Sequence, residues 1–289
     1  MEITATGGER LSAAVVAPTE SGVPASAVLA AESLEPLDVM AAFDAAGPEG
    51  APMLVFLHGT RVTRTMWKPQ VAGLSGDYRV VTVDLPGHGA LADVHFRVPR
   101  AVALVRSVID LNGGRAIVVG QSLGGYVAME LAATHPEQVA GLVLCNSTTE
   151  PRTVARRAPR AVGVYLVDRV GERVLGRGAP VHVDGPIVGR APRATRGLLF
   201  RGGYRAVVTA IRTSFVPRLA AYPGPALLVN GADDPLFRRG EGAFLAACQD
   251  GRLCVIEGAG HLVSSEQPEA FNTAIREFAE TVFRSPAPA

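Results

Sequence analysis

Three residue types spread along the chain could together activate a hydroxyl group. Ser122 lies in Gly120-Gln121-Ser122-Leu123-Gly124, between the apolar run Ala116-Ile117-Val118-Val119 and a helical pattern from Tyr126 to Leu131. A serine hydroxyl is a poor nucleophile unless a base takes its proton during attack. That base needs a carboxylate behind it, which fixes the imidazole tautomer and stabilises the imidazolium. Both residue types follow downstream. Leu227-Leu228-Val229-Asn230-Gly231-Ala232-Asp233-Asp234-Pro235 reads as a strand running into a turn with two candidate acids. Cys254-Val255-Ile256-Glu257-Gly258-Ala259-Gly260-His261 reads as a strand, a glycine-rich loop and a histidine. His58 and His88 sit in tight His-Gly and Gly-His-Gly turns and read as loop-packing residues. His95, His135 and His182 match no catalytic motif.

The elements around these residues must place them together. Strand, Gly-x-Ser-x-Gly, helix is the context of a nucleophile elbow. Its turn is so sharp that the central residue takes strained backbone angles. Glycines on both sides remove Cβ atoms that would clash with the strand and the helix. Ser122 then stands at the positive end of the following helix, and the N–H of Leu123, next in sequence, can donate to an oxyanion. Short continuous apolar runs recur at Met53–Leu57, Val80–Val83, Ala116–Val119, Leu142–Leu144, Ala226–Val229 and Leu253–Ile256. Continuous apolarity means burial on both faces, as in a parallel sheet. Helical patterns lie between the runs, at about 100–111, 123–135, 240–248 and 268–283, the last opened by Pro268. This alternation predicts a three-layer α/β fold with the ends of the three site strands on one edge.

Two stretches break the pattern. Residues 1–35 are rich in Ala, Ser, Gly and Pro, with weak alternation at Leu11–Val16 and Ala27–Leu29, and read as an N-terminal extension. Residues 148–218 hold fourteen arginines against four acids, Glu150, Asp168, Glu172 and Asp184. Helical fragments at Ala161–Arg169 and Arg205–Phe215 suggest a helical cap over the ligand-binding edge of the sheet. Apolar residues there, among them Leu198, Phe200, Phe215 and Val216, would shape a pocket. The cap arginines either recognise an anionic group or simply solvate helix faces. Lys68 is the only lysine, so arginine is the default cation of this chain, a bias that suits a GC-rich bacterial genome.

Composition bounds the rest. The chain of 289 residues is 48% hydrophobic with a net charge of +1, which argues against nucleic acid as a partner. It contains no apolar run of spanning length, and its N-terminus lacks the pattern of a secretory signal. Cys145, Cys248 and Cys254 have neither metal nor CxxC spacing. Reduced thiols and a cytoplasmic location are the expectation, with a small-molecule substrate as the partner and homodimerisation left open.

Taken together, the motifs resemble the α/β-hydrolase fold superfamily, in its cap-bearing branch of serine hydrolases, over residues 37–283. They are Phe56-Leu57-His58-Gly59-Thr60, Asp84-Leu85-Pro86-Gly87-His88-Gly89, Gly120–Gly124, Gly231-Ala232-Asp233-Asp234-Pro235, and Gly260-His261 followed by Glu266-Gln267-Pro268. The order Ser, Asp, His is that of this architecture. The resemblance implies a mostly parallel eight-stranded sheet, with residues 36–147 and 219–289 as core and 148–218 as cap. It selects Asp234 over Asp233 as the acid and His261 as the base. It places the second oxyanion donor at the N–H of Thr60. Arg61 and Trp67 follow that loop and either line the substrate pocket or serve as a surface arginine and a core tryptophan. Gln121, beside the nucleophile, is a third candidate substrate contact. Serine at the elbow excludes the dehalogenases and most epoxide hydrolases of this fold, which need aspartate there. No cofactor or metal is implied. The expected reaction is hydrolysis of a carboxylic ester, lactone or thioester through an acyl-enzyme. Carbon–carbon bond hydrolysis, perhydrolysis, non-hydrolytic lyase or cyclase chemistry, and a slow-turnover receptor are the alternatives.

Overall fold

The computed structural model describes residues 38–60, 62–153 and 213–284. Its centre is one sheet of seven strands: β1 (Phe43–Ala46), β2 (Met53–Leu57), β3 (Arg79–Val83), β4 (Ala116–Gln121), β5 (Val139–Cys145), β6 (Pro225–Gly231) and β7 (Asp250–Ile256). The spatial order is β1-β3-β2-β4-β5-β6-β7. β1 runs antiparallel to β3, and every other neighbouring pair is parallel. Six of these strands coincide with the apolar runs of the sequence.

Seven strands stand among the described residues where eight were expected. β1 was not anticipated: Phe-Asp-Ala-Ala is short, half exposed and poor in β-branched residues. It is held by its pairing with β3 and not by its own pattern. The weakly alternating segments near the N-terminus lie outside the described residues.

Successive side chains on a strand point to opposite faces, and here the two faces feed two cores. Val55, Leu57, Val118, Leu142, Leu144 and Leu228 join one cluster. Leu54, Phe56, Ile117, Val119, Val143 and Val229 join the other. The first face is covered by α2 (Val98–Asn112), α3 (Leu123–Thr134), α4 (Val216–Ala221) and α6 (Glu241–Ala247), all of which contribute to its cluster. The second is covered by α1 (Lys68–Leu74), α7 (Val263–Glu266) and α8 (Pro268–Arg284). α8 buries Phe271, Ile275, Phe278 and Ala279, a spacing of one helical stripe. A four-residue helix, α5 (Pro235–Arg238), follows β6. Among the described residues no helix is long and apolar enough to cross a membrane.

The predicted cap falls between β5 and β6, and residues 154–212 of it, including the fragment at 161–169, lie outside the described residues. Its two flanks belong to the core. Thr148 and Thr149 are buried. Phe215 is fully buried and packs its ring on Tyr126 at 4.7 Å. The pocket-lining role expected for Phe215 is therefore corrected: it is a core residue. Val216 is partly buried against the same cluster and begins α4.

Candidate active site

Ser122 caps α3 with φ 51° and ψ −110°, a left-handed backbone that costs a non-glycine residue free energy. Close packing imposes it. A Cβ on Gly120 would collide with the backbone of Gly124, and one on Gly124 with the carbonyl of Leu57. The Ser122 N–H donates to Cys145 O at 2.9 Å, which ties the turn to the end of β5. The first amides of a helix have no partner within it, so the Leu123 N–H emerges beside Ser122. Gly59 runs alongside: a Cβ there would lie 3.4 Å from the Ser122 Cβ. Thr60 follows, partly exposed.

Asp234 ends the turn after β6 and caps α5. Its Oδ1 accepts the amides of Leu236 and Phe237 at 3.3 and 3.4 Å. Its Oδ2 accepts His261 Nδ1 and Asn146 Nδ2, each at 2.7 Å. Burial alone would raise this carboxyl's pKa. The hydrogen bond and charge of His261, with the Asn146 and Phe237 donors, outweigh burial and hold it below its ordinary value. Asp233 is exposed and makes its backbone bond to Ala259 O. Of the two candidate acids, the structure brings Asp234 to the histidine.

A carboxylate only accepts, so the proton between the two residues sits on His261 Nδ1, and in the neutral ring that tautomer leaves Nε2 as the acceptor. The ring stacks on Phe237, centroids 4.9 Å apart and 25° between planes, and its side chain is 43% exposed. The loop that carries it is clamped. Glu266 accepts the amides of Gly260 and Leu262 at 2.7 and 3.0 Å. Gln121 Nε2 donates to His261 O at 2.9 Å.

Two candidate substrate contacts, Gln121 and Trp67, are buried in this structure. Gln121 is fully buried. Besides its bond to His261, its Oε1 accepts the Ser264 hydroxyl at 3.0 Å, so it joins the nucleophile turn to the histidine loop. Trp67 is 0% exposed, packed between Phe56 and Phe271 with ring centroids at 5.0 and 6.2 Å. Of the two readings open for Trp67, this burial favours the core tryptophan. Arg61 lies outside the described residues.

His58 and His88 occupy the neighbouring loops. His58 Nδ1 donates to Gly59 O at 2.7 Å, and its Nε2 accepts the Leu85 amide at 3.0 Å. It staples the loop after β2 to the loop after β3. His88 packs edge-on against it at 4.9 Å. Desolvation pushes the two down to about 4 and about 3. Asp84 pins the same region, accepting the Arg64 and Ala90 amides at 2.8 and 2.9 Å.

Sequence reasoning missed Asn146, Phe237 and the role of Glu266. The available signals were slight. Asn146 directly follows an apolar strand at the ligand-binding edge, Phe237 stands three residues after Asp234, and Glu266 opens a quoted motif.

The family model for the alpha/beta hydrolase family matches residues 54–274. The chain belongs to this family. It is thus an enzyme of the hydrolase type, and its relatives are consistent with that. It is 30% identical to 3-oxoadipate enol-lactonase 1 of Acinetobacter baylyi, over 82% of this chain and 91% of the relative. It is 30% identical to a pimeloyl-acyl-carrier-protein methyl ester esterase of Edwardsiella ictaluri, over 78% of this chain and 93% of the relative. Among solved structures, a putative non-heme bromoperoxidase, BpoC, of Mycobacterium tuberculosis superposes with a TM-score of 0.62 at 26% identity, covering 83% of this hydrolase and 96% of that chain.

Proposed function

We propose that this hydrolase cleaves a carboxylic ester, lactone or thioester of a small molecule through an acyl-enzyme formed on Ser122. The observation that carries the reading is the 2.7 Å bond from His261 Nδ1 to Asp234, on the same sheet edge as a serine in strained elbow geometry. The tautomer fixed by Asp234 makes Nε2 a base. It takes the Ser122 proton as Oγ attacks the carbonyl carbon. The Leu123 and Thr60 amides receive the negative charge that develops on the carbonyl oxygen, each such donor contributing about 3–4 kcal/mol in the transition state. His261 then returns the proton to the leaving alcohol or thiol. Water attacks the acyl-serine with His261 again as base, and the acid leaves. Asp234 stays ionised throughout.

The names of the relatives narrow the first substrates to try. An enol-lactonase and a methyl ester esterase both open a carboxylic C–O bond, so strained lactones and small methyl esters lead the panel. The deciding experiment is intact-mass analysis after a fluorophosphonate probe, on wild type, Ser122→Ala and His261→Ala. One adduct on wild type, absent from both variants, is the expected result. A folded wild type that takes no adduct overturns the acyl-enzyme mechanism.

A further inference from the structure

Asn146 is fully buried at the end of β5, and its backbone is left-handed, φ 44°. Its amide donates to Val229 O at 3.0 Å, which fixes it to β6, the strand that delivers Asp234. From there Nδ2 donates to Asp234 Oδ2 at 2.7 Å and also reaches Gly260 O at 3.4 Å, one residue before His261. The side chain thus touches both the acid and the root of the loop that carries the base.

We propose that Asn146 is a positioning residue, its carboxamide holding Asp234 Oδ2 in line with His261 Nδ1. The inference rests on the triad reading above. A carboxylate oxygen offers two in-plane acceptor directions. On Oδ2 one is taken by His261 and the other by Asn146, while Oδ1 is held by the Leu236 and Phe237 amides. With both oxygens engaged, the carboxylate plane cannot rotate away from the imidazole. Without Asn146, Oδ2 keeps the histidine alone and the plane gains freedom. The competing role is purely local, since asparagine tolerates a left-handed backbone better than most residues. Glycine separates the two. It takes the same φ without strain and removes the side chain, with its bonds to Asp234 and Gly260 and the Cys145 thiol contact on its Oδ1.

The test compares wild type, Asn146→Gly, Asp234→Asn and the double variant. The readings are the rate of fluorophosphonate labelling, kcat and KM on an ester that wild type cleaves, and melting temperature. Asn146→Gly is expected to label and turn over about tenfold to a hundredfold more slowly, the range for one hydrogen bond to a charged group, with KM unchanged. On the Asp234→Asn background the same substitution should add almost nothing, because it acts through that carboxylate. Wild-type labelling by a folded Asn146→Gly overturns the inference, as does a full further loss in the double variant. Should Asn146→Gly fail to fold, Asn146→Ser, too short to reach Asp234, is read by the same criteria. A folded wild type that does not label overturns the triad reading and this inference together. A labelled wild type with an unaffected variant overturns this inference alone.

Discussion

Asp234 has every hydrogen-bonding direction directed at a donor, whereas its neighbour Asp233 faces solvent. The two residues have the same chemistry and adjacent positions, so their substitutions isolate what geometry adds. On the proposed mechanism, Ser122→Ala and His261→Ala each lower turnover by about 10⁴–10⁶, the range for removing a member of a serine triad. Asp234→Asn should cost about 10⁴, since an amide favours the wrong imidazole tautomer. Asp233→Asn should stay within about twofold, as expected for an exposed side chain without a partner in the site. Steady-state rates on one ester, with folding checked by circular dichroism, order the four variants. A larger loss from Asp233→Asn than from Asp234→Asn would overturn the assignment of the acid.

The residues that hold the site are spread over elements, and Gln121 shows how. It is the last residue of β4, fully buried, with one end on His261 O and the other on the Ser264 hydroxyl of α7. Gln121→Leu keeps the volume and deletes both bonds. A buried polar group left without its partner costs about 1–3 kcal/mol, so the melting temperature should fall. Turnover should fall further than lost folding explains, because the histidine loop loses one of its ties. Unchanged turnover in the fraction still folded would make Gln121 a packing residue only. Contacts of this type explain what the sequence could and could not reveal. Ser122, Asp234 and His261 could be singled out as candidates because each follows the end of a strand at one edge, and the strands carry strong apolar runs. Gln121 adjoins the site in sequence but turns its side chain inward, and of the two readings open for Trp67 its full burial favours the core one. Asn146 went unread because its importance lies in a bond to a residue 88 positions later, which no local pattern encodes. β1 failed for a related reason: pairing with β3, and not propensity, makes it a strand.

At the scale of the whole molecule, the neutral histidines set the acid limit of stability. His58 and His88 are both buried in the paired loops beside the nucleophile. Desolvation lowers them from an ordinary 6.5 to about 4 and about 3 in the folded state. The unfolded chain therefore binds more protons than the folded one as soon as the pH falls below about 6.5. Their contribution is fully present above that pH, is lost progressively as the pH falls below it, and the loss levels off at about 4 and about 3, where the folded-state histidines take up the proton themselves. The slope is about 1.4 kcal/mol per pH unit for each histidine. Asp234, held below its ordinary value, acts in the same direction at lower pH. The protein should thus lose stability steeply between about pH 6.5 and 4, before most carboxylates titrate. Urea melts across that range test the claim on wild type and on His88→Asn. His88 suits the purpose because among the described residues its Nε2 has no hydrogen-bond partner, while its Nδ1 bonds to Pro86 O at 3.2 Å. Asparagine can keep one donor there and cannot be protonated. The variant should start less stable at pH 7.5, through lost packing against His58, and then show a flatter decline than wild type. Parallel declines in the two proteins would mean that the proton uptake on unfolding arises elsewhere.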